Sequence, residues 1–217
     1  MTIKAIVFDM DGLLIDSEPI WQKSREAAFG AERLRWTEAD QQAVMGSSTI
    51  GWATFVAERL DHEYPIEDVI ERVLQQMETY YRQQVPLMPG ARAVVEQLAA
   101  QYPVGLASGS PHRLITAALQ GAGWEGLFEH AMSSDEVAHG KPAPDVYMAV
   151  AERMGIDLST SAIFEDSANG ILAGIAAGGK VIAVPSDYSR PADEILAQAA
   201  LVLESLEDFS LDTLATL

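Results

Sequence analysis

Short apolar runs recur along the chain without the alternation expected of a half-exposed strand: residues 3–8 (IKAIVF), 104–107 (VGLA), 161–164 (SAIF), 181–184 (VIAV) and 200–203 (ALVL). Strands buried on both faces of a parallel sheet have this pattern. Between the runs the spacing turns helical. Val146, Tyr147, Val150, Ala151 and Met154 share one face, and Ile171, Leu172, Ile175 and Ala176 share another. Strands alternating with helices predict an α/β fold, a doubly wound parallel sheet with a Rossmann-like core.

Residues 16–86 break this rhythm. They hold no strand-like run, and Ile66, Val69, Ile70, Val73, Leu74, Met77, Tyr80 and Tyr81 mark a long amphipathic helix that ends near Pro86 and Pro89. Some 70 residues are too many for a single crossover, so an all-helical subdomain over 16–86 is expected, inserted into a core made of 1–15 and 87–217.

Composition narrows the possible functions. Fourteen Lys plus Arg against 32 Asp plus Glu give a net charge of -18 over 217 residues, a field that repels nucleic acid and anionic lipid. Neither is expected as a partner, and an anionic small molecule would need a local positive site. With no Cys, thiol nucleophiles, disulfides and thiolate metal sites are excluded. The first apolar run is too short for a secretory signal, and no run approaches the ~18 residues of a membrane span. The expectation is a soluble cytoplasmic protein, read as a monomer.

Ligands of open α/β sheets collect at the carboxyl ends of the strands. There the first run ends in Asp9-Met10-Asp11-Gly12, the second in Ser108-Gly109-Ser110 and the third in Glu165-Asp166-Ser167, while Lys141 lies in a Gly-Lys-Pro segment before the helix of Val146. Four carboxylates on one rim cannot all stay ionised without a cation. With no Cys and no paired His, the fitting ion is hard and oxygen-bound, such as Mg²⁺. Ser108, the Gly109 amide, the helix N-terminus after Pro111 and Lys141 supply the donors a phosphoryl group needs. An aspartate can accept that group, and a second acid two positions on can exchange protons with leaving group and water.

Asp9-Met10-Asp11-Gly12-Leu13-Leu14-Ile15-Asp16-Ser17-Glu18, Ser108, Lys141-Pro142 and Glu165-Asp166-Ser167-Ala168-Asn169-Gly170, in this order, resemble the haloacid dehalogenase-like hydrolase superfamily, and most closely its branch with a helical cap after the first strand. The resemblance implies Asp9 as nucleophile and Asp11 as general acid, then base. It implies Ser108, Gly109 and Lys141 as phosphate ligands, and Asp9, the Asp11 carbonyl, Glu165 and Asp166 as holders of Mg²⁺. Glu18 and Trp21 fall where the cap begins and are expected to face the substrate. Met45-Gly46-Ser47-Ser48-Thr49 resembles the cap loop that reaches into the site.

The activity implied is a Mg²⁺-dependent phosphatase for small phosphate monoesters. The run 16–21 resembles phosphatases for hexitol phosphates and 2-deoxyglucose 6-phosphate. A β-phosphoglucomutase-like enzyme is the nearest rival. Such mutases have a cap histidine where this chain has Trp21 and a basic residue where Thr49 stands. A receiver-like signalling module would be about half this length with no insertion, and dehalogenases of the superfamily lack the second aspartate. Isolated features read more plainly. His62, His112, His130 and His139 are scattered surface or cap residues; Trp36, Trp52 and Trp124 read as core or interface anchors.

Overall fold

In the computed structural model, residues 2–45, 47–186, 188, 190–215 and 217 are described. The chain opens with strand β1 (Ala5–Phe8) and then runs through five helices: α1 (Glu18–Phe29), α2 (Ala31–Leu34), α3 (Glu38–Val44), α4 (Thr49–Arg59) and α5 (Ile66–Gln83). It returns as α6 (Ala91–Ala99), β2 (Val104–Ser108), α7 (His112–Ala122), β3 (His130–Ser133), α8 (Asp145–Met154), β4 (Ser161–Glu165), α9 (Ala168–Ala176), β5 (Lys180–Ala183), α10 (Asp193–Leu196), β6 (Leu201–Val202) and α11 (Leu211–Leu214).

The six strands form one parallel sheet in the order β3-β2-β1-β4-β5-β6. The apolar runs become five of them: β1 and β6 are shorter than their runs, β2 and β4 extend one residue further, and β5 begins and ends one residue earlier. The sixth, β3, was not foreseen from the apolar runs. It lies at the sheet edge with its first two residues only partly buried, so the sequence His130-Ala131-Met132-Ser133 lacks the continuous apolar character of a central strand. Order reverses between β1 and β4, and the carboxyl ends of β1, β2 and β4 meet there.

Between β1 and α6 the described residues hold only helices. Helix α5 buries Val69, Val73, Leu74, Met77 and Tyr81 along one stripe, as its spacing predicts, and packs against α1, α4 and α7. Arg113 on α7 reinforces the last of these contacts, donating to Glu78 (2.6 Å) and Glu71 (2.5 Å) of α5. One apolar cluster runs without interruption from Phe8, Leu106 and Phe164 of the sheet to Trp52, Val56 and Tyr81 of the inserted helices. At the opposite edge of the insertion, the Thr49 hydroxyl of α4 donates to Asp135 after β3 (3.1 Å). No helix among the described residues is long and apolar enough to cross a membrane.

Candidate active site

Each acid of the rim is presented by a strand end. Asp9 follows β1, Glu165 closes β4, and Asp166 follows it. Asp9, Glu165 and Asp166 are all buried and each offers an oxygen within 4.8 Å of the others. Lys141 reaches into this cluster from the loop before α8. Its Nζ donates to Asp9 Oδ1 (2.5 Å), Glu165 Oε1 (2.6 Å) and the Ala107 carbonyl (3.0 Å). Glu165 is fixed from every side. Oε1 also accepts from the Tyr147 hydroxyl (2.5 Å), and Oε2 accepts from the Asp166 and Ser167 amides and the Ser167 hydroxyl.

Two glycines make room for the crowding. At Gly170 a Cβ would lie 1.9 Å from the Glu165 carboxylate. At Gly12, where φ is +83°, it would lie 2.3 Å from Asp166 Oδ2. Helix α9 starts beneath this point, its first turn capped by Ser167 Oγ accepting from the Gly170 amide (3.1 Å).

Burial pushes the Asp9 carboxyl well up from its ordinary range; Lys141 opposes this, while Glu165, Asp166 and Asp11 add to it. Burial and Glu165 push Asp166 up to about 8. Burial disfavours the Lys141 charge too, but Asp9 and Glu165 outweigh it and hold the ammonium protonated. The protein's own cation thus leaves negative charge uncompensated. A cluster made only of oxygen donors, with Asp9 and Asp166 pushed toward protonation, fits a hard divalent ion, which would reverse those shifts.

Asp11 lies apart from the triad. Its Oδ2 accepts from the hydroxyls of Ser108 (2.9 Å) and Ser110 (2.8 Å), and its Oδ1 is buried without a partner. Ser108 therefore spends its hydroxyl on Asp11 and is fully buried, whereas Gly109, Ser110 and Pro111 line the cavity above the rim. That cavity, of about 380 Å³, is closed on its other side by the inserted helices, with Glu18, Trp21, Arg25 and Trp52 facing in. Met45, Ser47, Ser48 and Thr49 of the expected cap loop line it as well; Gly46 lies outside the described residues.

Several contributors were not foreseen. Ser110 was quoted at the end of the second run but given no role. Tyr147 reads as one more position of the α8 apolar face. Arg25 and Gln41 lie on α1 and α3 with no local motif. Gln41 accepts from Arg25 Nη1 (3.0 Å) and Trp36 Nε1 (2.9 Å) and donates to Glu18. Trp21 and Trp52 pack with ring centroids 5.5 Å apart. Trp36 and Trp52, read as anchors, thus frame this polar group, and Trp124 is core. His112 and His139 pair with Glu136 and Asp145 at the surface, outside the cavity.

A family model described as haloacid dehalogenase-like hydrolase matches residues 3–178. The chain belongs to the haloacid dehalogenase-like hydrolases. It is 31% identical over 212 residues to hexitol phosphatase B of Escherichia coli (strain K12), covering 96% of this chain and 95% of that one. It is 34% identical over 210 residues to a probable pseudouridine-5'-phosphatase of Drosophila melanogaster, covering 94% and 90%. The crystal structure of CbbY from Rhodobacter sphaeroides in complex with phosphate superposes with a TM-score of 0.85 at 23% identity, covering 99% of this chain and all of that one. That likeness concerns the fold, and the parallel sheet with its helical insertion is the shared architecture.

Proposed function

We propose that this hydrolase, a phosphoric monoester hydrolase of its family, removes phosphate from small sugar or hexitol phosphates in a Mg²⁺-dependent reaction through an aspartyl-phosphate on Asp9. The observation that carries the reading is Lys141 bridging Asp9 and Glu165 at the floor of a cavity closed by the inserted helices. Two relatives matched over nearly their whole length are named hexitol phosphatase B and probable pseudouridine-5'-phosphatase, which supports this reading.

Residues 16–86 act as the cap and 1–15 with 87–217 as the catalytic core. Asp9, Asp166 and the Asp11 carbonyl, with Glu165 behind them, would hold Mg²⁺. Bound there, the ion supplies positive charge against the transferring phosphoryl oxygens. Lys141 holds Asp9 Oδ1, leaving Oδ2 to attack phosphorus as the bond to the sugar oxygen breaks. Asp11, fixed through Oδ2 by Ser108 and Ser110, gives a proton from Oδ1 to the leaving oxygen. It then takes one from the water that cleaves the aspartyl-phosphate, releasing inorganic phosphate and regenerating Asp9. The Gly109 and Ser110 region and Lys141 face the phosphoryl group, and Glu18 and Trp21 face the rest of the substrate.

Hydrolysis of p-nitrophenyl phosphate with Mg²⁺ tests the reading. Asp9→Asn should lower kcat by ~10⁴-fold or more, the scale at which a single member of a covalent-catalysis set fails. A rate unchanged in that variant overturns it. Release of phosphate rather than formation of an isomer from β-glucose 1-phosphate separates phosphatase from mutase.

A further inference from the structure

The cavity is lined by two cations among the described residues, Lys141 and Arg25. Lys141 is paired with Asp9 and Glu165 and also donates to a carbonyl. Arg25 is not so paired. It is only 3% exposed, yet no carboxylate of the described residues is in ion-pair contact with it, and its one hydrogen bond goes from Nη1 to the neutral amide of Gln41. Its Nε is buried without a partner.

Buried guanidinium groups are almost always paired, because an uncompensated charge out of water is costly. Three indole rings compensate part of this cost. Trp21, Trp36 and Trp52 lie with centroids 5.3, 5.0 and 5.8 Å from the guanidinium carbon. Rings of this kind attract the charge through the guanidinium faces. They accept none of the in-plane N–H bonds, which match a carboxylate or phosphate in a fork. The Glu18 carboxylate offsets part of the charge from beyond ion-pair contact, and Gln41 links the two, its amide NH₂ donating to Glu18 while its oxygen accepts from Arg25 and Trp36. Arg25 is thus held at the cavity wall with its Nε–H unpartnered.

We propose that Arg25 is the receptor for a second anionic group on the substrate, a carboxylate or a phosphate at the end remote from the phosphoryl group on Asp9. The enzyme then selects doubly anionic sugar phosphates over neutral polyol phosphates. This rests on the phosphatase reading and narrows its substrate class. It also gives the cap a cation at a place the sequence did not suggest, since Thr49 occupies the position where a basic residue was sought.

The decisive experiment measures Mg²⁺-dependent phosphate release by the purified wild-type enzyme from three compounds. These are sorbitol 6-phosphate, 6-phosphogluconate, which differs from it by a carboxylate at the far carbon, and fructose 1,6-bisphosphate. p-Nitrophenyl phosphate serves as a control for phosphatase chemistry. A charge-assisted hydrogen bond is worth ~1.5 to 3 kcal/mol, so kcat/KM should favour at least one doubly anionic compound by about 10- to 150-fold. Preference for 6-phosphogluconate identifies the second group as a carboxylate, and preference for the bisphosphate identifies it as a phosphate. In Arg25→Met the preference ratio should collapse toward one through KM, and Arg25→Lys should keep part of it. Because ratios within one preparation are compared, a partly folded variant does not blur the result.

Equal or better use of sorbitol 6-phosphate by the wild type, or an unchanged ratio in Arg25→Met, overturns the inference while turnover of p-nitrophenyl phosphate leaves the phosphatase reading standing. No turnover of any of the four compounds overturns both.

Discussion

The floor and the roof of the cavity solve opposite electrostatic problems. On the floor, acids outnumber the one ammonium among them, and every oxygen of Glu165 is tied to a protein donor. In the roof a single guanidinium lies among three indoles, its only hydrogen bond made to an uncharged amide. The floor is short of positive charge, whereas in the roof Glu18 answers Arg25 without touching it, and the guanidinium keeps an unpaired Nε. On the proposed reading, a divalent cation completes the floor and an anionic group of the substrate completes the roof.

The contrast is sharpest under matched substitutions. Lys141→Met removes one partner of a buried ion-pair set and should cost about 3 to 5 kcal/mol of stability as well as most of the activity. Arg25→Met removes a cation that has no ion pair to lose and should move stability far less. Chemical denaturation of both variants checks the difference, and equal losses would erase the distinction drawn between floor and roof.

Gly170→Ala comes next in size. Its methyl would fall within bonding distance of the Glu165 carboxylate, so Glu165 must shift and release Lys141. Turnover should fall by at least tenfold, with KM changed little, in steady-state kinetics.

Metal and pH act together on the floor. In the metal-free protein Asp166 keeps its proton up to about pH 8, against an ordinary value of 3.8. The folded state therefore binds more protons than the unfolded one between those limits, and metal-free stability should fall as pH rises through that window. Mg²⁺ must displace that proton, so its stabilising effect should grow over the same range. At 100 times its Kd the ion contributes about 2.7 kcal/mol, a Tm increase of about 5 to 10 °C for a chain of this size. Melting curves with EDTA or Mg²⁺ from pH 5 to 8 test both signs.

The floor was legible in the sequence and the roof largely was not, for a physical reason. Parallel strands must be continuously apolar, so the first polar residues after each run stand out and their position at the sheet's carboxyl edge follows from topology. Asp9, Asp11, Ser108, Glu165 and Asp166 were found this way. Glu18 and Trp21 were expected in the roof from the resemblance, but Arg25 on α1, Trp36 between α2 and α3, Gln41 on α3 and Trp52 on α4 were not. Each fits an ordinary amphipathic pattern, and only helix packing brings them together. Tyr147 was hidden likewise, counted for its ring when its hydroxyl reaches Glu165. β3 was missed because an edge strand can be half polar.

The apolar mass that joins sheet to insertion behind the cavity has a consequence for how the cavity opens. Floor and roof are welded along the back, where Arg113 straps α7 to α5. At the Thr49 edge the tie is far slighter, one hydroxyl shared between the two oxygens of Asp135 (3.4 and 3.1 Å), so this is the edge at which floor and roof part most cheaply.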